Sequence, residues 1–392
     1  MVKTPLPPRP AAPTSSAIRD LLALTERPDV TSLAGGLPHP AAVPAEAIAA
    51  ASAAVLATDA DAALQYGPTE GHGPLRAWIA RRTATAPDEV LVTAGSQQAL
   101  DLVVRTLVPP GSTVALGDPA YVGALQVVAG ASARPAPIPV DADGLRVDVL
   151  AERLAAGLRP ALVYVVAATD NPTGTSLSAE RRRQLVALAD RHGFWIVDDD
   201  AYGELRWDGA APAPLRHGSD RVLTLGSTSK VLSPGLRVGW VTGPAEVIRD
   251  LAIAKQAADL QTGSLTQRIV ARVVADEPAF AAHLDELRAR YRAHATALAG
   301  ALADRFGDRL AFTIPGGGMF VWATLADDVA PGRTTAALLD DAVAAGVAYV
   351  PGRAFAAGDP TAHDRSLRLG FATAGPRQLV DAVDRLGDAL RV

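Results

Sequence analysis

The segment Gly226-Ser227-Thr228-Ser229-Lys230 sets one lysine beside three small hydroxyl residues, and Arg237 follows seven positions later. A lysine taken out of water loses its proton more readily, and its neutral amine is a nucleophile. Hydroxyls together with a guanidinium can hold a phosphate through charge-assisted hydrogen bonds. The plain alternative is a surface lysine after a strand, which the apolar flank Val231-Leu232 opposes. A second cluster, Asp198-Asp199-Asp200-Ala201-Tyr202, follows the apolar run Phe194 to Val197. Three adjacent carboxylates cannot all be buried, so one is expected to point inward against a cation. Adjacent aspartates also suit magnesium, although no G-x-x-x-x-G-K-[ST] loop accompanies them.

Two further segments complete the set. Ala94-Gly95-Ser96-Gln97-Gln98 leads from an apolar run into a helical pattern, with Ser96 in the N-cap position. Such a helix start can bind an anion, or it can be an ordinary capped helix. Asp170-Asn171-Pro172-Thr173-Gly174 reads on its own as a turn.

These residues need elements to position them. Short apolar runs recur at Val90–Thr93, Thr113–Leu116, Leu162–Val166, Phe194–Val197, Val222–Leu225 and Val238–Val241. Near-continuous apolar runs of this length suit strands buried on both faces. Helical patterns such as Gln97 to Leu107 and Ala179 to His192 lie between them. Alternating strand and helix predict a layered α/β domain with a mostly parallel sheet. In such sheets ligands bind beyond the carboxyl ends of the strands, where several of these runs end in polar residues. From residue 245 the pattern changes to two long helices, Ala245 to Ala275 and Pro278 to Arg305. An antiparallel pair, Leu310 to Thr313 with Met319 to Leu325, follows across Gly316-Gly317-Gly318. The expected division is an amino-terminal arm over residues 1–45, a large domain over 46–285 and a smaller α+β domain over 286–392.

Composition narrows the function. A chain of 392 residues with 49% hydrophobic and 20% charged residues has ample core and is not disordered. The 37 basic and 42 acidic side chains leave a net charge of -5, unlike a nucleic-acid binder. Cysteine is absent, which excludes disulfides, thiolate metal sites and a cysteine nucleophile, and no H-E-x-x-H spacing occurs. No apolar stretch reaches a membrane span of about 18 residues. The Pro-rich start, Met1 to Pro13, lacks the apolar core of a secretory signal, so a cytoplasmic location is expected.

Taken in order, the segments resemble the fold-type I pyridoxal phosphate enzymes of the class I/II aminotransferase family. Details are most similar to kynurenine/2-aminoadipate aminotransferases and to the aminotransferase-like body of MocR regulators. The resemblance rests on Ser32-Leu33-Ala34-Gly35-Gly36-Leu37-Pro38, Tyr66-Gly67-Pro68-Thr69-Glu70-Gly71, Asn171-Pro172-Thr173-Gly174, Ser227-Thr228-Ser229-Lys230 with Arg237, and Ser366-Leu367-Arg368-Leu369. It implies a large α/β/α domain, a small α+β carboxyl-terminal domain and pyridoxal 5'-phosphate as cofactor. By the resemblance Lys230 is the lysine that joins the cofactor aldehyde, and Asp199 faces the pyridine nitrogen. Tyr202 and Asn171 contact the ring oxygen, and Tyr121 stacks on the ring. Ser96, Gln97, Gln98, Ser227, Ser229 and Arg237 form the phosphate and cofactor cradle. Tyr66 is expected to reach the phosphate site of a second subunit, which implies a homodimer. Arg368 matches the arginine for the substrate α-carboxylate, with Gly36 and Asn171 beside the substrate. The implied reaction is ping-pong transfer of an α-amino group to a 2-oxo acid, with 2-oxoglutarate the expected acceptor.

Some features stand apart. Asp170 occupies a position where many relatives carry glutamine, and Arg353 offers a second anion site or a surface charge. Arg19 offers a contact to a substrate side chain. A different outcome on the same cofactor (elimination, cyclisation or oxidative deamination) stays open, because small pocket details steer it. A regulator's sensor body is disfavoured, since only about 30 residues precede the matching region and a winged helix needs more. Ser227 and Lys230 also make an S-x-x-K pair, but the S-D-N and K-T-G partners of that acyl-transfer chemistry are missing.

Overall fold

The computed structural model describes residues 29–209 and 212–391. Arg19 and most of the expected amino-terminal arm lie outside the described residues. The centre is an eight-stranded sheet in the order Val90–Thr93, Gly239–Thr242, Val222–Ser227, Trp195–Asp200, Pro160–Val165, Thr113–Asp118, Arg134–Asp141, Gly144–Leu145. From Val222–Ser227 to Arg134–Asp141 all neighbours are parallel, and antiparallel strands occupy both margins. The inner strands are mostly buried on both faces, which is why their sequences are apolar runs without alternation.

One strand departs from that pattern. Arg134–Asp141 carries Pro135, Pro137 and Pro139, and nothing in its composition announces a strand. Arg134 N donates to Ser112 O, so the alternate amides that face Thr113–Asp118 belong to residues 134, 136, 138 and 140. The prolines therefore take the outward positions, where a missing N–H breaks no ladder.

The expected helix Ala245 to Ala275 is two helices, Ala245–Ala258 and Ser264–Ala275, separated by a bend at residues 259–263. The next is continuous over Glu277–Phe306, with Asp276 Oδ1 accepting from Ala279 N and Pro278 in the first turn, where its missing N–H is harmless. This 30-residue helix links the large sheet to the carboxyl-terminal part of the chain. That part holds a four-stranded antiparallel sheet, Leu310–Phe312, Phe320–Leu325, Ser366–Gly370 and Val350–Pro351. Thr31–Ser32 pairs with Val347–Ala348 and so draws residues 33–37 to the mouth between the two sheets. Among the described residues no helix is long and apolar enough to cross a membrane.

Candidate active site

A cavity of about 420 Å³ opens at the carboxyl ends of the parallel strands, walled on the far side by Phe320 and Arg368 of the small sheet. Each strand end delivers one group.

Lys230 follows the strand Val222–Ser227 by three residues, and its Nζ donates to Gly36 O at 2.7 Å. Burial lowers its pKa to about 8, helped by the positive charges of Arg368 and Arg237 and opposed by Asp199. The amine is thus poised to lose its proton near neutral pH.

The aspartates extend the strand, which runs Trp195–Asp200 rather than ending at Val197. Alternation sends Asp199 to one face and Asp198 and Asp200 to the other. Asp198 Oδ1 accepts from Ala167 N at 3.2 Å, beside the Arg182 guanidinium, and Asp200 Oδ1 accepts from Gly203 N. The three carboxylates therefore do not converge as magnesium ligands would, which removes the ground for the metal reading. Asp199 lines the cavity, buried, with its pKa raised to about 6 by burial and held from rising further by a hydrogen bond from Tyr164 Oη to Oδ2. Its Oδ1 is buried without a partner.

Arg368, buried on the strand Ser366–Gly370, donates Nη1 to Asn171 Oδ1 at 2.7 Å and Nη2 to Ala34 O at 2.6 Å. Its guanidinium lies over the Phe320 ring at 4.1 Å and near Phe355 at 5.0 Å, contacts that fix its plane. Burial lowers its pKa to about 10, so it stays charged at neutral pH, and Nε has no partner.

The residues expected to cradle an anion also line the cavity. The N-cap of Ser96–Leu107 is Gly95, not Ser96, which is the first helical residue. Gly95 has φ +102, and a Cβ there would meet Arg237 Nη2 at 2.6 Å, so a serine could not cap from that place. Arg237 Nη2 donates to Ala94 O at 2.6 Å. Ser227 Oγ donates to Ser229 Oγ, and both side chains line the cavity. Tyr121 Oη donates to Gln97 Oε1 at 3.2 Å, while Gln97 Nε2 donates to Gly123 O. Burial pushes the Tyr121 phenol up to about 12, which keeps it a donor. Tyr202 lies edge-on to Phe320, its phenol also raised by burial.

The cavity thus brings together Gly36, Ser96, Gln97, Tyr121, Asn171, Asp199, Tyr202, Ser227, Ser229, Lys230, Arg237 and Arg368. Two expected residues lie elsewhere. Gln98 turns away, its amide bonded to Ala94 N and Asp259 Oδ2, so it is not placed to touch a ligand in this cavity. Tyr66 is 77% exposed and lines no wall of this site. Asp170 Oδ2 accepts from the amide and hydroxyl of Thr173, which braces the Asn171 turn. Arg353 is engaged in a two-point ion pair with Asp364. Ser227 and Lys230 engage Ser229 and Gly36 respectively, not each other, so the S-x-x-K reading lacks its base–nucleophile contact. Sequence reasoning missed Tyr164, Phe320 and Phe355. A phenol inside the aliphatic run Leu162–Val166 is the one signal that pointed to the first.

The family model for aminotransferase class I and II matches residues 29–386. The chain belongs to the class I and II aminotransferases. Among its relatives, this aminotransferase is 38% identical to aromatic-amino-acid aminotransferase 1 of Thermococcus litoralis, over 96% of this chain and 92% of that one. It is 39% identical to a 2-aminoadipate transaminase of Thermus thermophilus, over 96% and 94% of the two chains. The solved alpha-aminoadipate aminotransferase of Thermus thermophilus, complexed with N-(5'-phosphopyridoxyl)-L-leucine, superposes with a TM-score of 0.89 at 38% identity, covering 97% of this chain and 95% of that one. The fold is that of the fold-type I aminotransferases, and the cofactor of this aminotransferase is pyridoxal phosphate. The cavity suits it chemically. A buried carboxylate oxygen without a partner matches a protonated ring nitrogen, and the serine–arginine cradle matches a phosphate.

Proposed function

We propose that this aminotransferase moves the α-amino group of long or aromatic amino acids to 2-oxoglutarate, working as a homodimer that shares its active sites. The observation that carries the reading is a buried Lys230 amine with two arginines and one unpaired carboxylate oxygen around a single cavity.

When bound, pyridoxal phosphate supplies an aldehyde that exchanges amino groups and a ring that draws electron density from the substrate α-carbon. Ser96, Ser227, Ser229 and Arg237 would hold its phosphate, and Tyr121 and Tyr202 its ring. Asp199 would keep the ring nitrogen protonated through Oδ1, because a buried carboxylate is stabilised by an opposite charge. Arg368 would take the substrate carboxylate in a fork, using its unpartnered Nε–H and an adjoining Nη–H. Lys230 Nζ, a buried amine in the same cavity, would take and hold the proton from the substrate α-carbon. The Asn171 carbonyl and Ala34 oxygen hold the Arg368 fork in place, which fixes the α-hydrogen relative to Nζ.

Apolar walls support the donor class. Leu37, Val122 and Phe320 line the cavity, and Arg237 and Arg368 are its only arginines among the described residues. With those two committed to phosphate and α-carboxylate, a long or aromatic apolar side chain meets compatible surface. The name of the Thermococcus litoralis relative falls in the aromatic class, and that of the Thermus thermophilus relative names a long donor, one whose side chain ends in a carboxylate. Tyr66, 77% exposed and lining no wall of its own chain's cavity, supports a dimer in which it serves a second subunit.

The deciding experiment is a donor panel (phenylalanine, tyrosine, kynurenine, 2-aminoadipate, leucine, aspartate) with 2-oxoglutarate, followed as glutamate formed. Glutamate from the long and aromatic donors supports the proposal. Glutamate from aspartate alone, or ammonia released without any acceptor, would overturn it.

A further inference from the structure

The bend that splits the expected helix lies where one of its side chains reaches the phosphate turn. Asp259 ends Ala245–Ala258 with φ -147, and Leu260, a residue with a full side chain, takes φ +64. A left-handed leucine is uncommon and persists only where its surroundings enforce it. Asp259 N and Leu260 N both donate to Lys255 O, and Gln261 N donates to Asp259 O.

From Asp259 a continuous line of hydrogen bonds runs to the cavity. Lys255 Nζ, on a side chain with no exposed surface, donates to Asp259 Oδ1 at 2.5 Å and Oδ2 at 2.7 Å. Gln98 Nε2 donates to Oδ2 at 2.7 Å, and Gln98 Oε1 accepts from Ala94 N at 2.7 Å. Ala94 O in turn accepts from Arg237 Nη2 at 2.6 Å. The neighbouring strand presses on the same turn, since a Cβ at Gly239 would lie 2.6 Å from the Gly95 carbonyl carbon.

The chemical types along this line matter. Gln98 could present either end of its amide to Ala94 N, and only the oxygen end accepts. Asp259 is an acceptor alone, so it draws the NH₂ end to itself and turns the oxygen to Ala94. Lys255 offers donors alone and holds the carboxylate in place. Ala94 then has both backbone polar atoms committed, one to this line and one to Arg237.

We propose that Asp259, anchored by Lys255, is a positioning residue for the cofactor phosphate: through Gln98 it sets the Ala94 peptide and so aims Arg237. None of Lys255, Gln98 or Asp259 lines the cavity, so the effect is carried through the turn. The inference rests on the cofactor and is independent of which amino acid is the donor.

The test uses the full chain stripped of cofactor and titrated with pyridoxal phosphate and, separately, with pyridoxal, which lacks the phosphate. Gln98→Met and Asp259→Ala should each raise the Kd for pyridoxal phosphate about tenfold, as expected for one lost charge-assisted hydrogen bond. The Kd for pyridoxal should change by less than about twofold, because the bonds removed act only on the phosphate end. Asp259→Ala leaves a buried lysine without its counter-charge and can unfold the chain. The double variant Lys255→Met/Asp259→Ala removes that burden and should show the same selective loss. Parallel weakening of both ligands, or no weakening of either, would make the line a purely structural support and overturn the proposal.

Discussion

Tyr164 Oη and Asp199 Oδ2 lie 2.9 Å apart in a hydrogen bond that the phenol donates, and the bond leaves Oδ1 as the carboxylate's one unpaired oxygen. Tyr164 is buried and its own pKa stands well above the usual tyrosine value, chiefly through burial, so it remains a donor across the working pH range. The geometry dictates which oxygen faces the cavity and how readily the carboxylate stays ionised.

Tyr164→Phe tests that relationship. The hydrogen bond favours the charged carboxylate, so its loss raises the Asp199 pKa above its present value near 6. Fewer molecules then carry the anion at a given pH. The acid limb of the kcat/KM profile should move to higher pH by about one unit, equivalent to a hydrogen bond of about 1.4 kcal/mol. An unmoved acid limb would detach Tyr164 from the titration of Asp199.

Lys230 gives a second pH signature of opposite kind. Its pKa of about 8 lies below the ordinary 10.5, so the neutral amine appears at lower pH than in a free lysine. At pH 8 half of the molecules carry it, against about 0.3% for an unperturbed lysine. Covalent capture of pyridoxal phosphate by cofactor-free chain, trapped with borohydride, should rise with pH to a midpoint near 8. A midpoint near 10 would show a solvated amine, and label at any position other than 230 would remove its assignment.

Arg368→Lys separates charge from geometry. Lysine keeps the positive charge but cannot make a planar fork, nor replace both bonds to Asn171 and Ala34. The KM for the amino donor should rise about 10- to 100-fold, matching one lost charge-assisted bond of about 1.5–3 kcal/mol. Equal KM values in the two proteins would place the substrate carboxylate elsewhere.

How far these residues could be read without coordinates depends on what fixes each one. Lys230 stands out because hydroxyl residues and an apolar flank surround it after a buried run, whereas Asp199 and Asn171 are singled out from their neighbours only by the family resemblance. The strand Arg134–Asp141 is hidden because its prolines fall on outward positions, which only the pairing reveals. The break at residues 259–263 is hidden because Asp259, besides its near neighbour Lys255, is bonded by Gln98, which is distant in the chain. Ser96 has the right type for an N-cap, but the close approach of Arg237 requires glycine at that place and moves the serine one residue inward. Phe320 and Phe355 look like ordinary core residues until the guanidinium they flank is in view.

The proposed shared-site dimer makes the most demanding prediction. Tyr66 is 77% exposed and lines no wall of its own chain's cavity, and the loop bearing it is tied to the start of the helix Ser264–Ala275 by Ser264 Oγ, which donates to Gln65 O at 3.0 Å. If Tyr66 completes a partner's site, two defective chains can repair each other. A Lys230→Ala chain still supplies Tyr66, and a Tyr66→Ala chain still supplies Lys230. In a mixed dimer one site then has both groups and the other has neither. Random mixing yields half mixed dimers, each with one intact site of two, so activity should recover to about a quarter of that of the unmodified protein. Lys230→Ala alone should be inactive and Tyr66→Ala alone weak in cofactor retention. Activity of the mixture that merely averages the two parents would place Tyr66 outside the partner's site, and a monomer at working concentration by sedimentation would do the same.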